Sequence, residues 1–286
     1  MKTWFFFIDG LGIAPDPSPD NPFADCKGSF LWNLMHGPVP DGWYSYPVDA
    51  CLGVEGLPQS GTGQISLLTG INAARKLGHH HGPFPHTSQR KWLVDDSIAT
   101  DCNRSERSWD LLNVYPAAYF QSLHARKIRL STFGFLQTLN GKALHPMESL
   151  QTGIGFPPVL DFQPLQRFGF HFNIDFPHGS AQRLIDQFSR IDFGITEYFE
   201  LDYFGHRQDR AQLVRCFQTI STFLETLASL PGAPAILISS DHGNAESLST
   251  NGHTRHPVPM IMNFSPPFVP SSITDLRVLL NHSLSK

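Results

Sequence analysis

Residues 3–8, Thr-Trp-Phe-Phe-Phe-Ile, form a short apolar run that stops at Asp9-Gly-Leu-Gly. A run this short and continuous leaves no polar face for water. It predicts a strand buried on both sides, as in a parallel sheet covered by helices. Similar runs at 126–133, 195–201, 235–240 and 257–264 predict further strands. Between the runs at 195–201 and 235–240, Leu213, Phe217, Ile220, Leu224 and Leu227 recur at steps of four and three. That stripe has the helical period and predicts a helix over about 208–230. Weaker patterns place helices at 63–75, 179–190 and 273–284. Alternation of strand and helix is the mark of an α/β fold with a mainly parallel sheet. In such folds ligands bind beyond the carboxyl ends of the strands.

The chain of 286 residues is long enough to bury a large core without disulfides. It reads as a single domain, 1–286, with one irregular excursion at 78–108, where glycine, proline and three consecutive histidines show no period. That stretch is expected to form a small cap insertion. The four cysteines, at 26, 51, 102 and 216, have no metal-type spacing. They are expected to be reduced thiols of a cytoplasmic protein. The opening apolar run ends too soon for a signal peptide, and no stretch has the length of a membrane span. Charged residues make up only 16% of the chain, with a net charge of −4 and no blocks of one sign. That pattern excludes a disordered chain and argues against nucleic-acid or membrane partners.

The chemistry-bearing residues gather after the strands. Asp9 ends the first run. Asp202 follows 195–201, with His206 four residues on. Asp241 and His242 follow 235–240, and His253 precedes 257–264. Carboxylates mixed with neutral imidazoles suit Zn²⁺, Mn²⁺ or Fe²⁺. Without a cation, such groups crowded at one sheet edge would repel one another and lose hydration. Each alone is ordinary, since an Asp after a strand commonly caps a helix or starts a turn. Their order along alternating strands points to a metal site. A second element, Gly56-Leu-Pro-Gln-Ser60-Gly-Thr-Gly-Gln64, opens a helix, where free N–H groups favour a phosphate-like anion. A serine hydroxyl there becomes a nucleophile only when a base or metal lowers its pKa. Taken alone, the segment is better explained by Ser60 or Thr62 capping the helix.

Together, Asp9-Gly-Leu-Gly, Ser60-x-x-Gly-Gln, Asp202-Tyr-Phe-Gly-His206, Asp241-His242-Gly-Asn-Ala-Glu246 and His253-Thr-x-x-Pro-Val-Pro259 resemble the alkaline phosphatase superfamily. The branch they resemble contains cofactor-independent phosphoglycerate mutase and phosphopentomutase. The resemblance covers about 1–75 and 195–265. It implies a three-layer α/β sandwich with a mainly parallel central sheet and helices on both faces. It also implies two divalent metal ions, Mn²⁺ or Zn²⁺. One would be held by Asp202, His206 and His253, the other by Asp9, Asp241, His242 and the Ser60 oxygen. Ser60, in place of Thr62, is the implied nucleophile. It stands where the mutase branch has its Ser or Thr, and six residues before Ser66-Leu-Leu-Thr-Gly, where sulfatases carry a modified cysteine. The rest of the sulfatase Cys-x-Pro-x-Arg motif is absent.

Two departures stand out. Gln64 replaces the histidine that ends the mutase serine motif. The large basic cap domain of the mutases is missing, leaving Arg75, His79, His81 and Arg90 in or beside 78–108 as candidate contacts to a small phosphorylated substrate. A mutase must shield its intermediate from water. A small excursion therefore suits a phosphomonoesterase or phosphodiesterase acting through phosphoserine. A mutase-type phosphotransferase and a metal-holding scaffold without turnover are the alternatives.

Overall fold

The computed structural model describes residues 1–286. The chain opens with β1 (Thr3–Ile8), then α1 (Phe30–His36) and β2 (Tyr44–Val48). Next come α2 (Ser60–Thr69), α3 (Ala73–Leu77), α4 (Trp92–Asp95) and α5 (Ile98–Arg104). The short strands β3 (Trp109–Leu111) and β4 (Val114–Tyr115) lead to α6 (Ala117–His124), α7 (Thr132–Leu139) and β5 (His145–Pro146). The rest runs α8 (His178–Gln187), β6 (Phe193–Tyr198), α9 (Glu200–Gly205), α10 (Arg210–Ser229), β7 (Ala235–Ser239), β8 (Val258–Met262) and α11 (Leu276–Ser285).

Six strands form the main sheet in the order β2-β8-β7-β1-β6-β3. β1 pairs in parallel with β6 and β7, and β3 with β6, while β8 pairs antiparallel with both β7 and β2. Only β8 therefore runs against the others. Strand alternation divides the core. Trp4, Phe6 and Ile8 face one layer with Leu31 of α1, Leu184 of α8 and Phe217 of α10. Phe5 and Phe7 face the other, with Leu67 of α2, Phe133 of α7 and Leu279 of α11. Both faces of β1 are fully buried, which is why its sequence shows no alternation. α10 starts where the Asp209 side chain accepts from Gln212 N, and it ends before Pro231-Gly232. No helix is long and apolar enough to cross a membrane.

Two expectations need correction. Residues 126–133 are not a strand: 126–129 run exposed, and Ser131 caps α7 by accepting from Gly134 N. The basic residues there meet no partner strand, and β3 takes the sheet edge instead. The segment 78–108 is not an irregular cap throughout. Its first half is irregular apart from a short 3-10 turn, but α4 and α5 bury Leu93, Ile98, Ala99 and Cys102 in the core. The long departure from the sheet lies between β3 and β6. There β4 and β5 pair, and Phe156 and Phe162 pack into the core.

Candidate metal centre

The carboxyl ends of β1, β6 and β7, and the start of antiparallel β8, meet at one sheet edge. Asp9 extends the β1 ladder by donating its N–H to Tyr198 O at 2.9 Å. Gly10 then turns with φ +73°, and a Cβ there would lie 2.9 Å from the Asp202 Cβ. Only glycine allows both the left-handed turn and that approach. The loop after β7 is tied to the same turn, with Asn244 N and Ala245 N donating to Gly10 O at 3.1 and 3.0 Å. Ser60 enters from the helical layer as the first residue of α2, and Gln59 takes the cap position without a side-chain bond. The glycines on either side of Thr62 let the first turn press close. A Cβ on Gly63 would lie 2.9 Å from Asp241, and one on Gly61 would lie 2.3 Å from Phe84 O.

These elements bring together two overlapping groups: Asp9, Asp241 and His242, and Asp202, His242 and His253. His242 Nε2 lies 3.4 Å from Asp9 Oδ1, 3.6 Å from Asp241 Oδ2 and 3.0 Å from Ser60 Oγ. Its ring stacks on His253 with centroids 3.6 Å apart. His253 Nε2 lies 3.8 Å from Asp202 Oδ1. Its Nδ1 is 2.7 Å from Pro58 O, so Nδ1–H donates there and the Nε2 lone pair faces the site. His206 follows the same pattern, with Nδ1 2.7 Å from Asn251 O and Nε2 3.4 Å from Asp202 Oδ2. It is more exposed and stands outside both convergent groups.

The electrostatics call for positive charge. Burial, then the charges of Asp241 and Asp202, push the Asp9 carboxyl well above its usual range. Burial also raises Asp241, against the pull of His242 and the Gln64 bond. Burial, reinforced by His242, holds His253 down to about 4. One oxygen of each carboxylate, Asp9 Oδ1 and Asp241 Oδ1, is buried with no hydrogen-bond partner. Orphaned carboxylate oxygens beside neutral imidazoles are the donor set a divalent cation requires, and its charge would reverse these shifts. The residues present fit the group.

The helix-cap alternative fails for both hydroxyls. Thr62 Oγ1 accepts from His81 N at 3.2 Å and lies 3.3 Å from Gln59 O, so it is tied to backbone. Ser60 Oγ meets His242 instead. The other candidate contacts fare unequally. Arg75 sits exposed on α3, with none of its side-chain bonds reaching the centre. Arg90 lays its guanidinium 4.2 Å from the Phe135 ring. His79 and His81 line an open groove beside Gln59, and His81 clasps Thr62 through its backbone.

Three residues near the centre carry functions that the motifs did not reveal. Gln64 donates to Asp241 Oδ2 at 3.0 Å; its spacing of four from Ser60 put both on one side of the first turn. Asn244 donates to Asp202 Oδ1 at 2.7 Å. Glu246 accepts from Gly12 N at 3.1 Å, Asn244 N at 2.8 Å, Thr254 Oγ1 and His256 Nδ1, joining the loop after β1 to both ends of the β7–β8 connection.

Residues 177–265 match the model of the Metalloenzyme superfamily, a span that holds Asp202, His206, Asp241, His242 and His253 but not Asp9 or Ser60. Among solved structures, alkaline phosphatase from the Antarctic bacterium TAB5 superposes with a TM-score of 0.52 at 12% identity, covering 99% of this chain and 98% of that one. The fold is that of the alkaline phosphatase superfamily. PH0037 protein from Pyrococcus horikoshii gives a TM-score of 0.56 at 10% identity, over 99% and 97% of the two chains. A cold-active alkaline phosphatase from Shewanella sp. gives 0.50 at 12%, over 100% of both. No curated protein matches the sequence. The alkaline-phosphatase-like fold thus agrees with the resemblance read from the motifs.

Proposed function

We propose that the protein is a two-metal phosphoric ester hydrolase, a phosphomonoesterase or phosphodiesterase, with Ser60 as nucleophile and a small phosphorylated molecule as substrate. The observation that carries this reading is the Ser60 hydroxyl. It lies 3.0 Å from His242 Nε2, at the edge of the Asp9–Asp241–His242 group and in the first turn of a helix. Asp9, Asp241, His242 and Ser60 would hold one cation, and Asp202, His206 and His253 the other. When bound, divalent cations such as Mn²⁺ or Zn²⁺ lower the pKa of a hydroxyl and neutralise phosphoryl charge.

The chain's own residues set the geometry. Thr62 N and Gly63 N bond to His81 O and Gln59 O, which leaves the N–H groups of Ser60 and Gly61 to receive phosphoryl oxygens. Ser60 Oγ forms its bond to phosphorus as the bond to the leaving alcohol breaks, in line. Water then attacks the phosphoserine, releasing phosphate and restoring the hydroxyl. Gln64 and Asn244 hold the Asp241 and Asp202 carboxylates in one orientation throughout.

The test is turnover of phosphate mono- and diesters by protein reconstituted with Mn²⁺ or Zn²⁺. Wild type should turn over and Ser60→Ala should not, although both bind metal. Full turnover by a metal-binding Ser60→Ala protein refutes the nucleophile. No turnover of any ester with metal bound favours the scaffold reading. Transfer of phosphate to an added alcohol in preference to water favours phosphotransfer.

A further inference from the structure

Beside the carboxyl end of β6 lies a cavity of about 460 Å³ that no motif announced. Its walls come from the excursion between β3 and β6, from the loop carrying Phe84, and from Glu197 and Phe199. Two observations tie it to the nucleophile. Phe84 belongs to the wall, and its carbonyl sits where a Cβ on Gly61, next to Ser60, would collide at 2.3 Å. Glu197 follows Phe193 and Ile195 on the sheet face that carries α2, and it stands in register with Phe7 of β1, two residues before Asp9. An ester with its phosphorus at Ser60 therefore has this cavity as the adjoining space for its organic group.

The lining is specific in its chemistry. Aromatic rings from Phe84, Tyr115, Tyr119, Phe168 and Phe199 contribute to it. Tyr115 and Tyr119 are stacked at 4.5 Å between centroids, which makes that wall rigid. Hydrogen-bonding groups are set among them. Glu197 Oε2 accepts from Ser131 Oγ at 3.1 Å, and its other oxygen takes no hydrogen bond within the protein. The Tyr115 hydroxyl is buried without any partner. Arg129 and Arg167 stand at the same cavity. A glyceryl group would leave the ring surfaces uncovered. An acyl chain would strip water from Glu197 and both arginines with nothing to replace it. A flat ring with N–H donors satisfies both the stacking surface and the free carboxylate oxygen.

We propose that this cavity is the leaving-group subsite and that it takes a purine-type ring, so that the ester cleaved is a purine nucleoside phosphate. The proposal rests on the ester-hydrolase reading above. Two measurements separate the fate of one from the other. The first is calorimetric binding of guanosine, which has no phosphate, to the metal-loaded protein. Binding should be detected and should weaken about tenfold or more in Tyr119→Ala and in Phe168→Ala. Phe168 is part-exposed, so that variant retains the fold, and circular dichroism and metal content check both proteins. The second is the ratio of kcat/KM for guanosine monophosphate to kcat/KM for methyl phosphate. This ratio should fall by a similar factor in both variants.

If no ester is turned over but guanosine binds and the variants weaken it, the subsite stands and the hydrolase reading falls. If methyl phosphate is hydrolysed but guanosine does not bind, the subsite is overturned and the hydrolase reading stands. A preference for long alkyl phosphates over the nucleotide, or a ratio unchanged in both variants, also overturns the subsite.

Discussion

Glu246 offers the sharpest test of how the centre is held together. Its carboxylate is 1% exposed and accepts from four donors, one on the loop after β1 and three on the connection between β7 and β8. Replacing it with alanine leaves the Gly12 N–H buried without an acceptor, whereas Asn244 N keeps its bond to Gly10 O at 3.1 Å. Such a loss costs about 1–3 kcal/mol, which is the predicted destabilisation. Thr254 can turn its hydroxyl elsewhere, and His256 is part-exposed and rehydrates, so they add little. In a chain of this size the loss lowers Tm by on the order of 2–6 °C. Glu246→Gln keeps one acceptor oxygen for the two backbone donors, and its amide can donate to Thr254 Oγ1 and to neutral His256. It should therefore fall between wild type and alanine. The assay is thermal unfolding of metal-free protein, which separates this effect from cation binding. Because the β7–β8 connection carries Asp241 and His253, and its Asn244 bonds Asp202, Glu246→Ala should also bind metal more weakly. A metal-free Glu246→Ala protein within about 0.5 kcal/mol of wild type would refute the reasoning.

Chelation should lower Tm. A cation present at a hundredfold excess over its Kd stabilises by about 2.7 kcal/mol, and a melting curve indifferent to chelator contradicts tight sites. Burial pushes Glu197 up to about 7 from an ordinary 4.5. Between those values the folded state binds more protons than the unfolded state, so metal-free stability falls as pH rises through that window, by roughly 3 kcal/mol. Glu197→Gln should lack this component, and equal pH slopes in urea unfolding would refute the assignment. Gln64→Leu removes the donor to Asp241 Oδ2 and should raise the Asp241 pKa further. It should weaken metal binding most at low pH, and a pH-independent change would mean that Gln64 serves packing alone.

The sequence showed the parts of the fold whose physics is local. β1 matches its apolar run residue for residue, and α10 matches its stripe to within about two residues at the N-terminal end and one at the C-terminal end. The edge strands were not legible, because three-residue β3 takes its place from pairing with β6 and not from its own composition. α4 and α5 were missed because a short helix needs few apolar residues, and histidines and prolines precede them. At the centre, Asp9, Asp202, Asp241, His242 and His253 could be grouped because each lies against a strand end. Asn244 and Glu246 act by hydrogen bonds between loops, which no spacing reveals, and only the spacing of Gln64 from Ser60 hinted at its place.

The most direct test of the central claim is chemical. Metal-loaded protein is mixed with a phosphate monoester, quenched in acid, digested, and its peptides are analysed by mass spectrometry. A phosphoryl group transferred to Ser60, and absent from Ser60→Ala protein, is the predicted result. Steady turnover with Ser60 unmodified at every quench time, or with the label on another residue, would contradict it.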